Sequence, residues 1–168
     1  TLFGGRALSS LRLEKNYGSF NKDFRPDYTP GETGLDRFVE FSKPAFVGRD
    51  AALAERNNGP RRRFVVMEVE AQDADVVGYE SIMKDGMAVG YVTSGAYGHC
   101  VDRSLAAGYV PAALARDGER FEIDILGRSA LEGRAVDGAD KVNGELVALL
   151  GSGAIGLGFE VARLGGDT

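Results

Sequence analysis

The chain has 168 residues, 43% of them hydrophobic and 27% charged, with a formal net charge of −5. That length suits one domain, or one small domain with a piece of another, and the apolar fraction is enough to fold most of it. The acidic balance excludes a global positive field for nucleic acid or anionic lipid, and no apolar run approaches the roughly 20 residues of a membrane helix.

In chain order, Ala7 to Lys15 reads as a helix, with Ala7, Leu8 and Leu11 at helical spacing and Asn16-Tyr17-Gly18 as its stop. Residues 18–34 hold no sustained period and are punctuated by Pro26, Pro30, Gly31 and Gly34. This reads as a long ordered loop, of a kind that is often functional. Phe38-Val39-Glu40-Phe41 is a short strand candidate, followed by a short helix from Ala51 to Arg56 that Asp50 is placed to cap. Asn57-Asn58-Gly59-Pro60 is the strongest boundary signal.

Beyond it the period changes from helical to two. Arg63 to Ala71 predicts a strand with Val65, Met67 and Val69 on one face. Lys84-Asp85-Gly86 supplies hairpin chemistry between Glu80–Met83 and Met87–Thr93. Strands over Leu105–Val110 and Arg120–Leu126 follow. Short strands with turns between them, in a chain of 24 glycines, indicate a small antiparallel barrel or sandwich over about 62–127. Arg61-Arg62-Arg63 at the mouth of the first strand reads as a solvated edge device.

His99 and Cys100 are the chain's single histidine and single cysteine. One thiol forms no internal disulfide, which favours a reducing compartment and a cytoplasmic placement. A zinc site of Cys and His would need more such ligands, so no metal is expected. Neighbours on a strand point to opposite faces, so a half-buried strand end is expected here, not a nucleophilic pair.

Four blocks then carry a resemblance. Leu11-Arg12-Leu13-Glu14-Lys15-Asn16-Tyr17 resembles the Leu-Arg-Leu-Glu motif of the glycine cleavage T-protein (aminomethyltransferase) family. Thr29-Pro30-Gly31-Glu32-Thr33-Gly34-Leu35 is similar to that family's Pro-x-Glu-x-Gly-Leu segment. Phe41-Ser42-Lys43-Pro44-Ala45-Phe46-Val47-Gly48-Arg49-Asp50-Ala51 resembles its Lys-x-x-Phe-Ile-Gly-x-x-Ala segment. Gly90-Tyr91-Val92-Thr93-Ser94-Gly95 and Leu105-Ala106-Ala107-Gly108-Tyr109-Val110-Pro111 resemble its barrel signature. The order of the blocks is the family's own. Arg6-Ala7-Leu8-Ser9-Ser10 ahead of the first block, and Tyr79-Glu80-Ser81-Ile82, are most similar to the folate-side half of dimethylglycine and sarcosine dehydrogenases.

The resemblance implies an α+β fold. Residues 1–57 would be the end of a folate-binding α/β lobe, 58–132 an antiparallel β-barrel, and 133–168 a strand–helix tail. It implies tetrahydrofolate as ligand, with FAD confined to an upstream flavin domain or subunit of the parent enzyme. There flavin would oxidise an N-methylamine to an iminium, and tetrahydrofolate would capture the one-carbon unit. The family's catalytic aspartate falls ahead of Thr1, so no catalytic residue is expected within the chain, and the isolated chain is expected to be inactive. The family's folate-contacting arginine corresponds to Leu8, and the family's Pro-containing strand and tail have no match after Gly127.

Tyr17 matches the aromatic position on the pterin wall, and a tyrosine can stack on a flat heterocycle while offering a hydroxyl; the alternative is a ring closing a helix end. Arg12 and Glu14 are two apart on a helix and face different ways, so Arg12 is read as a donor to backbone or carboxylate across the lobe interface. Glu32 is read as holding its loop. Thr93-Ser94 lacks a histidine base and is placed by the match in a barrel turn. Gly151-Ser152-Gly153-Ala154-Ile155-Gly156 has dinucleotide-turn spacing, but the acidic residue that belongs about 20 residues on has no place before Thr168. A Gly-rich appendage, or the start of a neighbouring domain, is the preferred reading of the tail. A non-catalytic folate-binding or regulatory protein is the alternative function.

Overall fold

The computed structural model describes residues 2–71 and 74–125, together with the backbone of 128–136. The glycine motif at 151–156 lies outside the described residues. The first element is α1 (Gly5–Glu14), whose buried residues are Ser10, Leu13 and Glu14, one face at i, i+3 and i+4. The apolar spacing pointed to a different face. Leu8 and Leu11 are 54% and 49% exposed, because the face that meets the barrel carries the polar groups that bond to it.

The segment after α1 is a loop with one helical turn, α2 (Pro30–Thr33), fixed by a capping box between Thr29 and Glu32 and closed by Gly34 at φ 71°. The strand expected over Phe38–Phe41 is not there. A 3-10 turn covers Asp36–Phe38, and the Glu40 carboxylate accepts from both the Ser42 N–H and the Ser42 hydroxyl, folding the backbone into a turn. The next helix, α3 (Arg49–Asn58), starts earlier than expected. Its N-cap is Gly48 at φ 84°, with no side-chain cap. Asp50 does not cap; it sits in the first turn, where a negative charge suits the helix dipole.

After Gly59 the chain enters six strands: β1 (Arg62–Val69), β2 (Ser81–Lys84), β3 (Met87–Gly98), β4 (Arg103–Pro111), β5 (Arg120–Ile125) and β6 (Arg128–Val136). They close into an antiparallel barrel in the order β1-β4-β3-β2-β5-β6. The expected barrel is present, and β6 completes it. The β2–β3 hairpin turns on Asp85 (φ 52°) and Gly86 (φ 75°), the two positive φ values that a type I′ turn requires.

Two apolar clusters follow from strand alternation. Met67, Val69, Ile82, Val92, Phe121 and Ile123 fill one. Val66, Leu105 and Ala107 point the other way and pack with Leu13 of α1. Helix α1 therefore lies on the outside of the barrel, and burying Leu13 there contributes about 2 kcal/mol. Strand β1 pairs with β4 along Arg62–Val69 and with β6 over Val66–Val69. Arg61 and Arg63 are exposed at its mouth, as the edge-device reading expects, but Arg62 between them is half-buried.

Candidate functional site

The C-terminal end of α1 is a Schellman motif built without glycine. Asn16 takes the left-handed position at φ 54°, the Asn16 N–H donates to the Leu13 carbonyl at 2.9 Å, and the Tyr17 N–H donates to the Arg12 carbonyl at 2.7 Å. The Arg12 side chain then returns, and its Nη1 donates to the Tyr17 carbonyl at 3.3 Å. Both backbone polar groups of Tyr17 are thus held by one residue. Glycine at the next position lets the Phe24 ring pack directly against the backbone, where a Cβ on Gly18 would displace the ring. The side chain of Tyr17 itself projects outward and is 68% exposed.

Arg12 is anchored from two directions. Its Nη1 meets Asp23 Oδ2 at 2.8 Å, and its Nη2 donates to Ser94 Oγ of β3 at 2.8 Å. Asp23 is fully buried and accepts in addition from the Ser19 N–H at 2.7 Å and from the Thr93 hydroxyl. A buried carboxylate survives only when paired and hydrogen-bonded in this way. Its own carbonyl accepts from the Tyr109 hydroxyl at 2.7 Å.

Thr93 and Ser94 are consecutive, yet both are buried. The reason is a register shift: Val92 pairs with Gly108 and Ser94 with Ala107, leaving Thr93 as an extra residue. Such a bulge turns two neighbouring side chains toward one side of the sheet. Both residues therefore lie within β3 and not in the turn where the sequence placed them. Their hydroxyls serve Asp23 and Arg12.

Around this hub the barrel face is aromatic. Tyr28 stacks on Tyr109 with ring centroids 3.7 Å apart, and the Tyr28 and Tyr91 hydroxyls share a hydrogen bond. Burial pushes the Tyr109 and Tyr28 phenols above their ordinary value, and for Tyr28 the bond to Tyr91 adds to this. The Arg62 guanidinium lies 4.7 Å from the Tyr28 ring centroid, and its Nε bonds Glu32 Oε1 at 2.9 Å. Arg62 is therefore a partly buried clamp on the loop, and Glu32 holds the loop as expected. Nothing in a run of three arginines distinguishes the middle one; Glu32, brought against it by the fold, selects it.

Glu14 faces away from Arg12. It is 1% exposed, and its Oε1 accepts from the Cys100 N–H at 2.8 Å, while Ser10 Oγ donates to the Tyr97 carbonyl at 2.7 Å. His99 and Cys100 occupy the turn between β3 and β4, not a strand end. Burial, and then the contact with Glu14, push the Cys100 thiol up, which disfavours the thiolate.

A cleft of about 470 Å³ opens elsewhere, between Glu68, Asp75, Asp102 and Arg103, and Tyr17 is not in its wall. Three of its carboxylates are engaged: Asp102 accepts from the Tyr97 hydroxyl, Asp75 accepts from Ser104, and Glu68 faces Arg103. Among the described residues no group of His, Cys, Asp and Glu side chains is placed to hold a metal. No described helix is long and apolar enough to cross a membrane.

Comparison with known proteins agrees with this geometry. Residues 62–138 match the glycine cleavage T-protein C-terminal barrel domain. The mitochondrial dimethylglycine dehydrogenase of Mus musculus is 40% identical over 128 residues, covering 76% of this chain and 15% of that protein. The aminomethyltransferase of Synechocystis sp. is 34% identical over 124 residues, 73% of this chain and 33% of that one. The crystal structure of the glycine cleavage system aminomethyltransferase T from Bartonella henselae superposes with a TM-score of 0.71 at 29% identity, over 79% of this chain and 37% of that one. The chain thus spans about a seventh of the first of these curated relatives and a third of the second.

Proposed function

We propose that this chain, which belongs to the glycine cleavage T-protein family through residues 62–138, supplies the barrel-side wall of a tetrahydrofolate site. The parent would be an N-methylamine demethylating oxidoreductase of the dimethylglycine or sarcosine dehydrogenase kind, with FAD in an upstream flavin domain or subunit. In this reading residues 1–57 are the end of the folate lobe, the barrel follows, and the tail beyond it is a separate appendage.

The observation that carries the proposal is Tyr17: an aromatic ring 68% exposed on a backbone held at both its N–H and its carbonyl. A flat heterocycle needs such a surface, and a backbone fixed beforehand lowers the ordering cost of presenting it. When bound, tetrahydrofolate is the one-carbon acceptor. The residues of this chain bind and orient it, Tyr17 by stacking. The proton-transfer group and the hydride acceptor come from other parts of the parent enzyme, so the isolated chain turns over neither sarcosine nor dimethylglycine. The cytoplasmic placement belongs to the same proposal; the vertebrate dimethylglycine dehydrogenases carry a mitochondrial designation in their names.

The test is calorimetric titration of the chain with tetrahydrofolate under anaerobic conditions. Binding that weakens about tenfold in Tyr17→Ala, as loss of an aromatic contact of one to two kcal/mol requires, supports the reading. Equal affinity for the two proteins removes it.

A further inference from the structure

The hydrogen bonds around Tyr17 form a chain that starts in the barrel. Ser94, 1% exposed on β3, accepts from Arg12 Nη2 at 2.8 Å; Arg12 Nη1 reaches both Asp23 and the Tyr17 carbonyl. A guanidinium is a rigid planar fork, so fixing one nitrogen sets the direction of the other. The Asp23 contact alone leaves the fork free to pivot about Nη1. The Ser94 contact on the opposite nitrogen removes that freedom. A pivot about Nη1 turns its N–H away from the Tyr17 carbonyl, and at 3.3 Å that bond is the longest of the three and the least able to tolerate the misalignment.

We propose that Ser94 is a positioning residue for the Tyr17 ring, acting through Arg12, so that the barrel sets the geometry of the pterin wall. The ligand side of this inference rests on the folate reading of Tyr17; the mechanical side does not.

The experiment separates the two. The chain contains no tryptophan, so Y17W places a single indole at an exposed position. Its time-resolved anisotropy reports local motion on the nanosecond scale. In Y17W alone the indole decay is dominated by overall tumbling. In Y17W with Ser94→Ala a fast local component takes over a large share of it. Tetrahydrofolate binding to Ser94→Ala, measured by calorimetry with Tyr17 intact, weakens about fivefold.

Ser10→Ala is the control. It removes a hydroxyl bond across the same contact between α1 and β3, from Ser10 Oγ to the Tyr97 carbonyl, and does not touch Arg12. It lowers the thermal midpoint as Ser94→Ala does, yet leaves the anisotropy and the affinity unchanged. Arg12→Lys keeps a charge for Asp23 but lacks the fork, so it reproduces the loosened indole and carries the test if Ser94→Ala does not fold. Unchanged anisotropy in both Ser94→Ala and Arg12→Lys overturns the proposal, as does an equal response in Ser10→Ala. A loosened indole in a chain whose folate affinity ignores Tyr17→Ala sustains the mechanical coupling and overturns the folate reading instead.

Discussion

Replacing Asp23 by alanine tests whether the buried hub, and not the apolar contact alone, joins α1 and its loop to the barrel. Asp23 is fully buried and pairs with Arg12, which is itself only 14% exposed. Removing one partner of such a pair costs about 3–5 kcal/mol, because the other charge is left in a poor dielectric without compensation. The Ser19 N–H also loses its acceptor, a further cost of about 1 kcal/mol. Thr93 keeps a second acceptor in the Ala107 carbonyl at 3.1 Å, so it adds little. These terms overlap, and the expected loss is about 4 kcal/mol, or roughly 10 °C in the thermal midpoint for a chain of this size. The comparison is Asp27→Ala, which removes an exposed pair with Arg25 and is expected to leave the midpoint unchanged. Urea unfolding followed by far-UV circular dichroism and by tyrosine fluorescence measures both. A loss in Asp23→Ala no larger than that in Asp27→Ala would refute the hub.

Three further outcomes follow from the same geometry. The Tyr28 and Tyr109 phenols are raised above 10.0 in the folded chain, so above about pH 10 the unfolded state sheds protons that the native state keeps, and stability falls as pH rises. Urea midpoints between about pH 8 and 11, a window that spans the ordinary tyrosine value, check this and are flatter in Tyr109→Phe. Gly90→Ala drives a Cβ into the Tyr109 carbonyl of the neighbouring strand, and little folded protein is expected on gel filtration. Asn16→Gly relieves a left-handed φ of 54° and removes a buried amide oxygen that has no partner among the described residues, raising stability by about 0.5–1 kcal/mol in the same urea assay.

The barrel was legible because its signals are local. Period-two alternation in Phe121, Ile123 and Ile125, and Asp85-Gly86 between two apolar runs, each act within a few residues, and the structure uses them as read. Sequence reasoning went astray where one local signal met a competing one or a distant partner. Phe38–Phe41 has strand-like residues, but the Glu40 carboxylate is taken by Ser42. Asp50 has capping chemistry, but Gly48 already supplies the turn into α3. Arg62 looks like its two neighbours until Glu32, thirty residues away in the chain, is brought to 2.9 Å. β6 offers Ser129, Ala130 and Gly133, too little apolar contrast to announce a strand, and it is specified by closure against β1 and β5.

The candidate site was legible in part for the same reason. Arg12, Glu14 and Tyr17 stand out within one short motif, whereas Asp23 has no local mark, and Ser94 and Tyr109, though within the barrel signature, join it only through the fold. The bulge at Thr93 is the instructive case. On a regular strand Thr93 and Ser94 would face opposite sides, and only one hydroxyl would reach the hub. The extra residue turns both toward it, so Asp23 and Arg12 are each held by a barrel hydroxyl. Arg12 and Glu14, two apart on α1, reach different parts of that barrel, β3 through Ser94 and the β3–β4 turn through Cys100. A helix bonded at both points cannot rotate about its own axis without breaking one of them. The residue that ends the helix, Tyr17, is therefore presented at an orientation that the barrel determines.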